Sequence, residues 1–82
     1  MSIDPGIPVP AYRQLADILR ARIESGELTD RIPSEVGLSQ EYGVAVTTVR
    51  HALALLREDG LIERVPGLGT FVRRKPGKGS RT

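Results

Sequence analysis

The stretch 33–71 leaves this chain few folds to choose from. Ser34 followed by Glu35 marks a helix start: the serine oxygen accepts from an orphan amide, and the glutamate complements the helix dipole. Gly37 stands where a capping box would place Glu or Gln, so the cap is half built. This short helix stops around Tyr42-Gly43, because glycine takes the left-handed conformation at a helix end without strain. Val44 fills the turn that follows, and the next helix runs over 45–59. Its Val49, Ala52, Leu53 and Leu56 fall at i, i+3, i+4 and i+7, a single core-facing stripe. Gly60 ends it. Two aliphatic or β-branched segments, 61–65 and 70–73, then flank Pro66-Gly67-Leu68-Gly69 and form a hairpin.

The residues before this stretch supply one more helix. Pro5, Gly6 and Pro8 make 1–9 an irregular arm. A helix begins near Pro10, which is tolerated in a first turn. Tyr12, Leu15, Leu19 and Ile23, with Ile18 beside them, form its apolar stripe, while Arg13, Asp17, Arg20 and Glu24 fall on the other side. Gly26 stops it, and Arg31-Ile32 is a candidate short edge strand. The expected fold is mainly α with a small β-hairpin wing: a winged helix-turn-helix over 10–73, with three helices and a two- or three-stranded antiparallel sheet. The remaining 74–82 read as a basic, disordered tail.

Size and composition narrow the function. Eighty-two residues make one small domain. The absence of Cys removes disulfides, thiolate metal sites and Cys nucleophiles together. His51 is the only histidine, so neither a paired-histidine zinc site nor a Ser/His/Asp triad can be assembled from this chain. No aliphatic run approaches the roughly 20 residues of a membrane span, and no signal peptide is evident. The expectation is a cytoplasmic, non-enzymatic module with no cofactor, metal or small-molecule site.

The formal charge of +2 is unevenly spread. Residues 73–82 hold Arg73, Arg74, Lys75, Lys78 and Arg81 with no acid; removing that +5 leaves −3 over 1–72. Any basic patch must therefore be local to one face or lie in the tail. Arg73, Arg74 and Lys75 either touch phosphates or belong to a solubilising end.

A helix pair followed by a wing reads double-stranded DNA through the start and exposed face of its second helix. Those positions are Val46, Thr47, Thr48, Arg50 and His51. Threonine hydroxyls and free amides at a helix start suit phosphate, and Arg50 can fork onto guanine O6 and N7. His51 is either a reader or an ordinary surface histidine. Gly67 and Gly69 allow close backbone approach to the minor groove, with Leu68 and Thr70 alongside; equally, they serve turn geometry.

Tyr12-Arg13-Gln14, Gly26-Glu27-Leu28, Ile32-Pro33-Ser34-Glu35, Tyr42-Gly43-Val44, Thr47-Thr48-Val49-Arg50, Gly60-Leu61-Ile62 and Gly69-Thr70-Phe71-Val72 together resemble the N-terminal domain of GntR-family transcription regulators. The resemblance spans about residues 8–73. It implies a winged helix that binds palindromic operators as a homodimer, usually as a repressor released by a metabolite held in a separate C-terminal domain. Thr47, Thr48, Arg50, Gly67 and Gly69 match the family's DNA-contacting pattern, and Ser34 is a further candidate contact. The departures are Val36, Val46 and Leu68, where the family usually carries charge or polarity.

Each lost phosphate contact lowers the salt dependence of binding by roughly 0.9, and each lost bidentate pair removes about 1–3 kcal/mol of discrimination. Two readings stay open. The chain is a DNA-binding regulator, stand-alone or part of a longer one, in which Val46 contacts thymine methyls. Alternatively, Val36, Val46 and Leu68 form an apolar patch that docks a protein partner.

Overall fold

The computed structural model describes residues 2–73, and three helices and one hairpin account for most of them. They are α1 (Ala11–Glu24), α2 (Glu35–Tyr42), α3 (Val46–Glu58), β1 (Ile62–Val65) and β2 (Gly69–Val72). Helix α3 lies between the others, packed on α1, α2 and β1. Its expected stripe of Val49, Ala52, Leu53 and Leu56 is buried, facing Leu15, Ala16 and Leu19 of α1 and Leu38 of α2 in one core. Ile32 and Ile62 close that core from the sheet side. Burying each of the Leu, Ile and Val side chains contributes roughly 1.5–3 kcal/mol.

The helix ends follow the local chemistry. Ser34 caps α2 by accepting from the Gly37 amide at 3.0 Å. Gly43, at φ 68°, turns the chain from α2 towards α3. The turn is closed twice by Ser39, whose hydroxyl donates to the Val44 carbonyl at 2.5 Å and whose carbonyl accepts from the Val44 amide at 3.1 Å. Helix α3 ends in paired return bonds, Gly60 N–H to the Arg57 carbonyl and Leu61 N–H to the Leu56 carbonyl, both 3.0 Å.

Strands β1 and β2 pair antiparallel, from Ile62 opposite Val72 to Val65 opposite Gly69. The expected edge strand is present in minimal form. Arg31 bridges antiparallel to Phe71, the Ile32 amide donates to the Thr70 carbonyl at 2.8 Å, and the Val72 amide donates to the Asp30 carbonyl at 2.7 Å.

The N-terminal arm is irregular, as its prolines require, but it is not free. Gln14 is buried at the start of α1, its Nε2 donating to the carbonyls of Asp4 (2.9 Å) and Val9 (2.8 Å). Its Oε1 accepts from the Asp4 amide at 2.7 Å. One amide thus satisfies three backbone groups of the arm, and Ile3 packs on the core beneath.

At the far end of α1, Arg22 donates to the Tyr42 hydroxyl at 2.7 Å and to Glu27 at 2.9 Å, with Glu41 at 3.5 Å. Burial acts to lower the Arg22 pKa, but Tyr42 and Glu27 outweigh it and the net shift is upward.

Replacing Gln14 by Ala leaves three arm groups to water and should cost about 1–2 kcal/mol in denaturant unfolding. Hydrogen exchange at the Asp4 amide should accelerate. Unchanged protection there would mean that the arm is held by something other than Gln14.

Candidate nucleic-acid interface

Because α3 buries one stripe, its opposite face is fixed towards solvent. Thr47, Arg50, His51 and Arg57 are exposed on it, while Val46 and Thr48 are half-buried. No side chain caps this helix. Ala45 takes the cap position in extended conformation, and its carbonyl accepts from the Thr48 and Val49 amides. The first amides of α3 therefore have no acceptor within the helix and suit an anion from outside.

An open groove of about 900 Å³ runs between the start of α2, the exposed flank of α3 and the wing. Four arginines line it: Arg31 before α2, Arg50 and Arg57 on α3, and Arg64 on β1. Glu35 is the one acid on its walls, and it accepts from Arg50 Nε at 2.9 Å. That pair crosses from α2 to α3 and holds the Arg50 guanidinium in place, although the arginine side chain remains 63% exposed. An exposed pair of this kind contributes little to stability, so its effect is to orient.

Other arginines are neutralised away from the groove, Arg20 by Asp17 and Asp59 and Arg22 by Glu27 and Glu41. Arg31, Arg57 and Arg64 have no carboxylate partner among the described residues. The −3 of residues 1–72 thus coexists with a groove carrying four cations and one anion.

The wing forms the second wall. Gly67 and Gly69 adopt φ 81° and 120°, and the Leu68 amide donates to the Val65 carbonyl at 3.0 Å. Arg31 lies across the hairpin at Gly69, where an added Cβ would come within 3.2 Å of its Nε and 3.3 Å of Nη2. Gly69 therefore answers two demands, a left-handed backbone and the close passage of a guanidinium.

The positions expected from sequence are only partly gathered. Ser34, Arg50, Gly69 and Thr70 line the groove; Gly67 and Leu68 stand at the hairpin tip. Ser34 spends its oxygen on the α2 cap, so its first role is structural. His51 stacks on Tyr12, ring centroids 3.8 Å apart and planes within 6°, so one face of the imidazole is covered while the residue stays exposed. Tyr12, expected in the core stripe, is half-buried and packs against the edge of the core.

Of the expected apolar patch, Val36 on the groove wall and Leu68 at the wing are well exposed, whereas Val46 is half-buried. Arg73 is exposed just past β2, whereas Arg74, Lys75 and the expected disordered tail lie outside the described residues.

Arg31, Arg57, Arg64 and Glu35 were absent from the sequence-based candidates. A signal existed for Arg57, seven residues after Arg50 and hence on the same helix face. Arg31 and Arg64 meet the groove only through the sheet register. Among the described residues no cluster of His, Asp or Glu could hold a metal, and no helix is long and apolar enough to cross a membrane.

Comparison with known proteins agrees with this geometry. Residues 11–72 match the family described as bacterial regulatory proteins, gntR family. The mannosyl-D-glycerate transport/metabolism system repressor MngR of Escherichia coli (strain K12) is 46% identical over 66 residues, 78% of this chain and 28% of the relative. The transcriptional repressor NagR of Bacillus subtilis (strain 168) is 39% identical over 74 residues, 88% of this chain and 30% of the relative. The chain thus spans less than a third of the length of these curated relatives. Among solved structures, the AraR DNA-binding domain in complex with an operator superposes with a TM-score of 0.77 at 33% identity, covering 88% of this chain and 92% of that one. YtrA from Sulfolobus acidocaldarius, a GntR-family transcription factor, gives a TM-score of 0.82 at 32% identity, covering 90% and 80%.

Gly69→Ala should destabilise the domain by about 1–3 kcal/mol, since alanine meets both the positive φ and Arg31. Thermal unfolding of Gly69→Ala beside Arg31→Ala/Gly69→Ala separates the two causes. If relief of the Arg31 contact recovers none of the loss, the backbone alone is responsible.

Proposed function

The chain belongs to the gntR family of bacterial regulatory proteins, and on that premise we propose that it is the DNA-binding unit of a transcriptional repressor. The observation that carries this reading is the groove: four arginines gathered beside an exposed helix start, with the acidic surplus elsewhere. The repressor names of the relatives and the operator bound by the AraR domain support it.

In the proposed complex α3 enters the major groove. Thr47, Thr48 and the first amides of α3 meet phosphate, and Arg50, steadied by Glu35, forks onto guanine. Val46 sits where it can touch a thymine methyl. Arg31, Arg57 and Arg64 add phosphate contacts between α3 and the wing, which lies alongside through Gly67 to Thr70. Arg73, Arg74 and Lys75 extend the basic track past β2. A palindromic operator would seat two copies as a homodimer, and the site of action is the cytoplasm. Repression is steric, through occupancy of the promoter.

The test is titration onto DNA from upstream of the protein's own gene, against scrambled duplex, at several salt concentrations. Arg57→Ala and Arg64→Ala should each lower the salt slope by about 0.9 while leaving sequence preference intact. Arg50→Ala should relax preference at one base pair, by roughly 1–3 kcal/mol. Equal binding to genomic and scrambled duplex at low salt would sink the reading.

A further inference from the structure

Leu68 is the most exposed large hydrophobic side chain in the described structure, at 60%, and it stands at the wing tip, away from both the core and the groove walls. Its neighbours on either side are glycines, so the tip is one side chain wide. Nothing lies within 4 Å of where a Cβ on Gly67 would point. The backbone is held rather than loose: the Leu68 amide is bonded to the Val65 carbonyl, and Val65 pairs with Gly69 across the hairpin. Immediately behind the tip sit two cations, Arg64 on β1 and Arg31 across Gly69.

A narrow aliphatic tip backed by arginines matches a slot with apolar walls and anionic rims. The DNA minor groove is such a slot, about 6 Å wide between two rows of phosphates. Charge sets this occupant above an apolar protein surface, which would leave Arg31 and Arg64 desolvated without partners. We propose that Leu68 is a minor-groove wedge, entering at a base step while Arg31 and Arg64 engage the flanking phosphates. This rests on the DNA-binding reading and adds a specificity determinant to it.

An isobutyl group has no donor or acceptor with which to read base edges. It selects sequence through the work of opening a step: pyrimidine–purine steps unstack readily, stiff A-tracts resist, and the guanine 2-amino group obstructs the groove floor. The wing is thus sensitive to TA steps at a position where α3 makes no contact.

The experiment uses the full 82-residue chain and a duplex that it has selected from a random pool. 2-Aminopurine is placed at successive steps beneath the wing. Wild type should raise its fluorescence at one step and should prefer TA there over an A-tract by roughly tenfold, the size of one base-pair discrimination. Leu68→Ala should lose both effects while binding the remainder of the site. Leu68→Lys should steepen the salt slope by about 0.9 without restoring the step preference.

Leu68 is exposed, so neither variant strains the fold. Selective binding by wild type with unchanged unstacking in Leu68→Ala overturns the wedge alone. Wild type that binds no duplex selectively overturns the regulator reading and the wedge together. Self-association in sedimentation that is lost in Leu68→Ala, with unstacking unaffected, assigns the tip to a protein contact and also overturns the wedge.

Discussion

Everything in this domain depends on how α3 is buried. Val49, Ala52, Leu53 and Leu56 reach into the one hydrophobic core found among the described residues, between α1, α2 and the sheet. A helix with one stripe anchored has no rotational freedom left. The side chains on its other flank, Thr47, Arg50, His51 and Arg57, therefore point outward as a consequence of packing, and Glu35 and Tyr12 only refine where Arg50 and His51 lie. Function here comes from the remainder of a hydrophobic decision.

The parts legible in the sequence were those set by periodicity and local caps. The α3 stripe, the Ser34 cap, the glycine stops and the hairpin each need only a few neighbouring residues, and each is present where those residues put it. Arg31-Ile32 as an edge strand was also readable, because a short aliphatic segment before Pro33 has few other uses. What escaped was decided by residues distant along the chain. Glu35 meets Arg50 only because α2 crosses α3, and Arg31 meets Gly69 only through the sheet register. Tyr12 packs against the core as its spacing implies, but nothing local indicates that His51 stacks on it as well. Gln14 stood out only as part of the Tyr12-Arg13-Gln14 motif, and the arm that it satisfies folds back from ten positions earlier.

Net charge proved a poor guide to the surface. An acidic core sequence of −3 still presents a cationic groove, because Asp17, Asp59, Glu27 and Glu41 are committed to Arg20 and Arg22 elsewhere. Phosphate responds to the local field rather than to the sum, particularly when the rest of the surface lies beyond a Debye length of roughly 8–10 Å.

The short bridge between Arg31 and Phe71 has a mechanical meaning. It ties residues 30–32, which lead directly into Pro33 and the cap of α2, to the strand that carries the wing. The two jaws on either side of α3 are thereby fastened to one another as well as to the helix. Their separation is a fixed gauge, set by main-chain hydrogen bonds that no replacement other than proline removes directly. Under the DNA-binding role proposed above, a duplex whose grooves are too wide or too narrow must itself change shape to fit, so the domain would act as a caliper and DNA form would become part of what it measures.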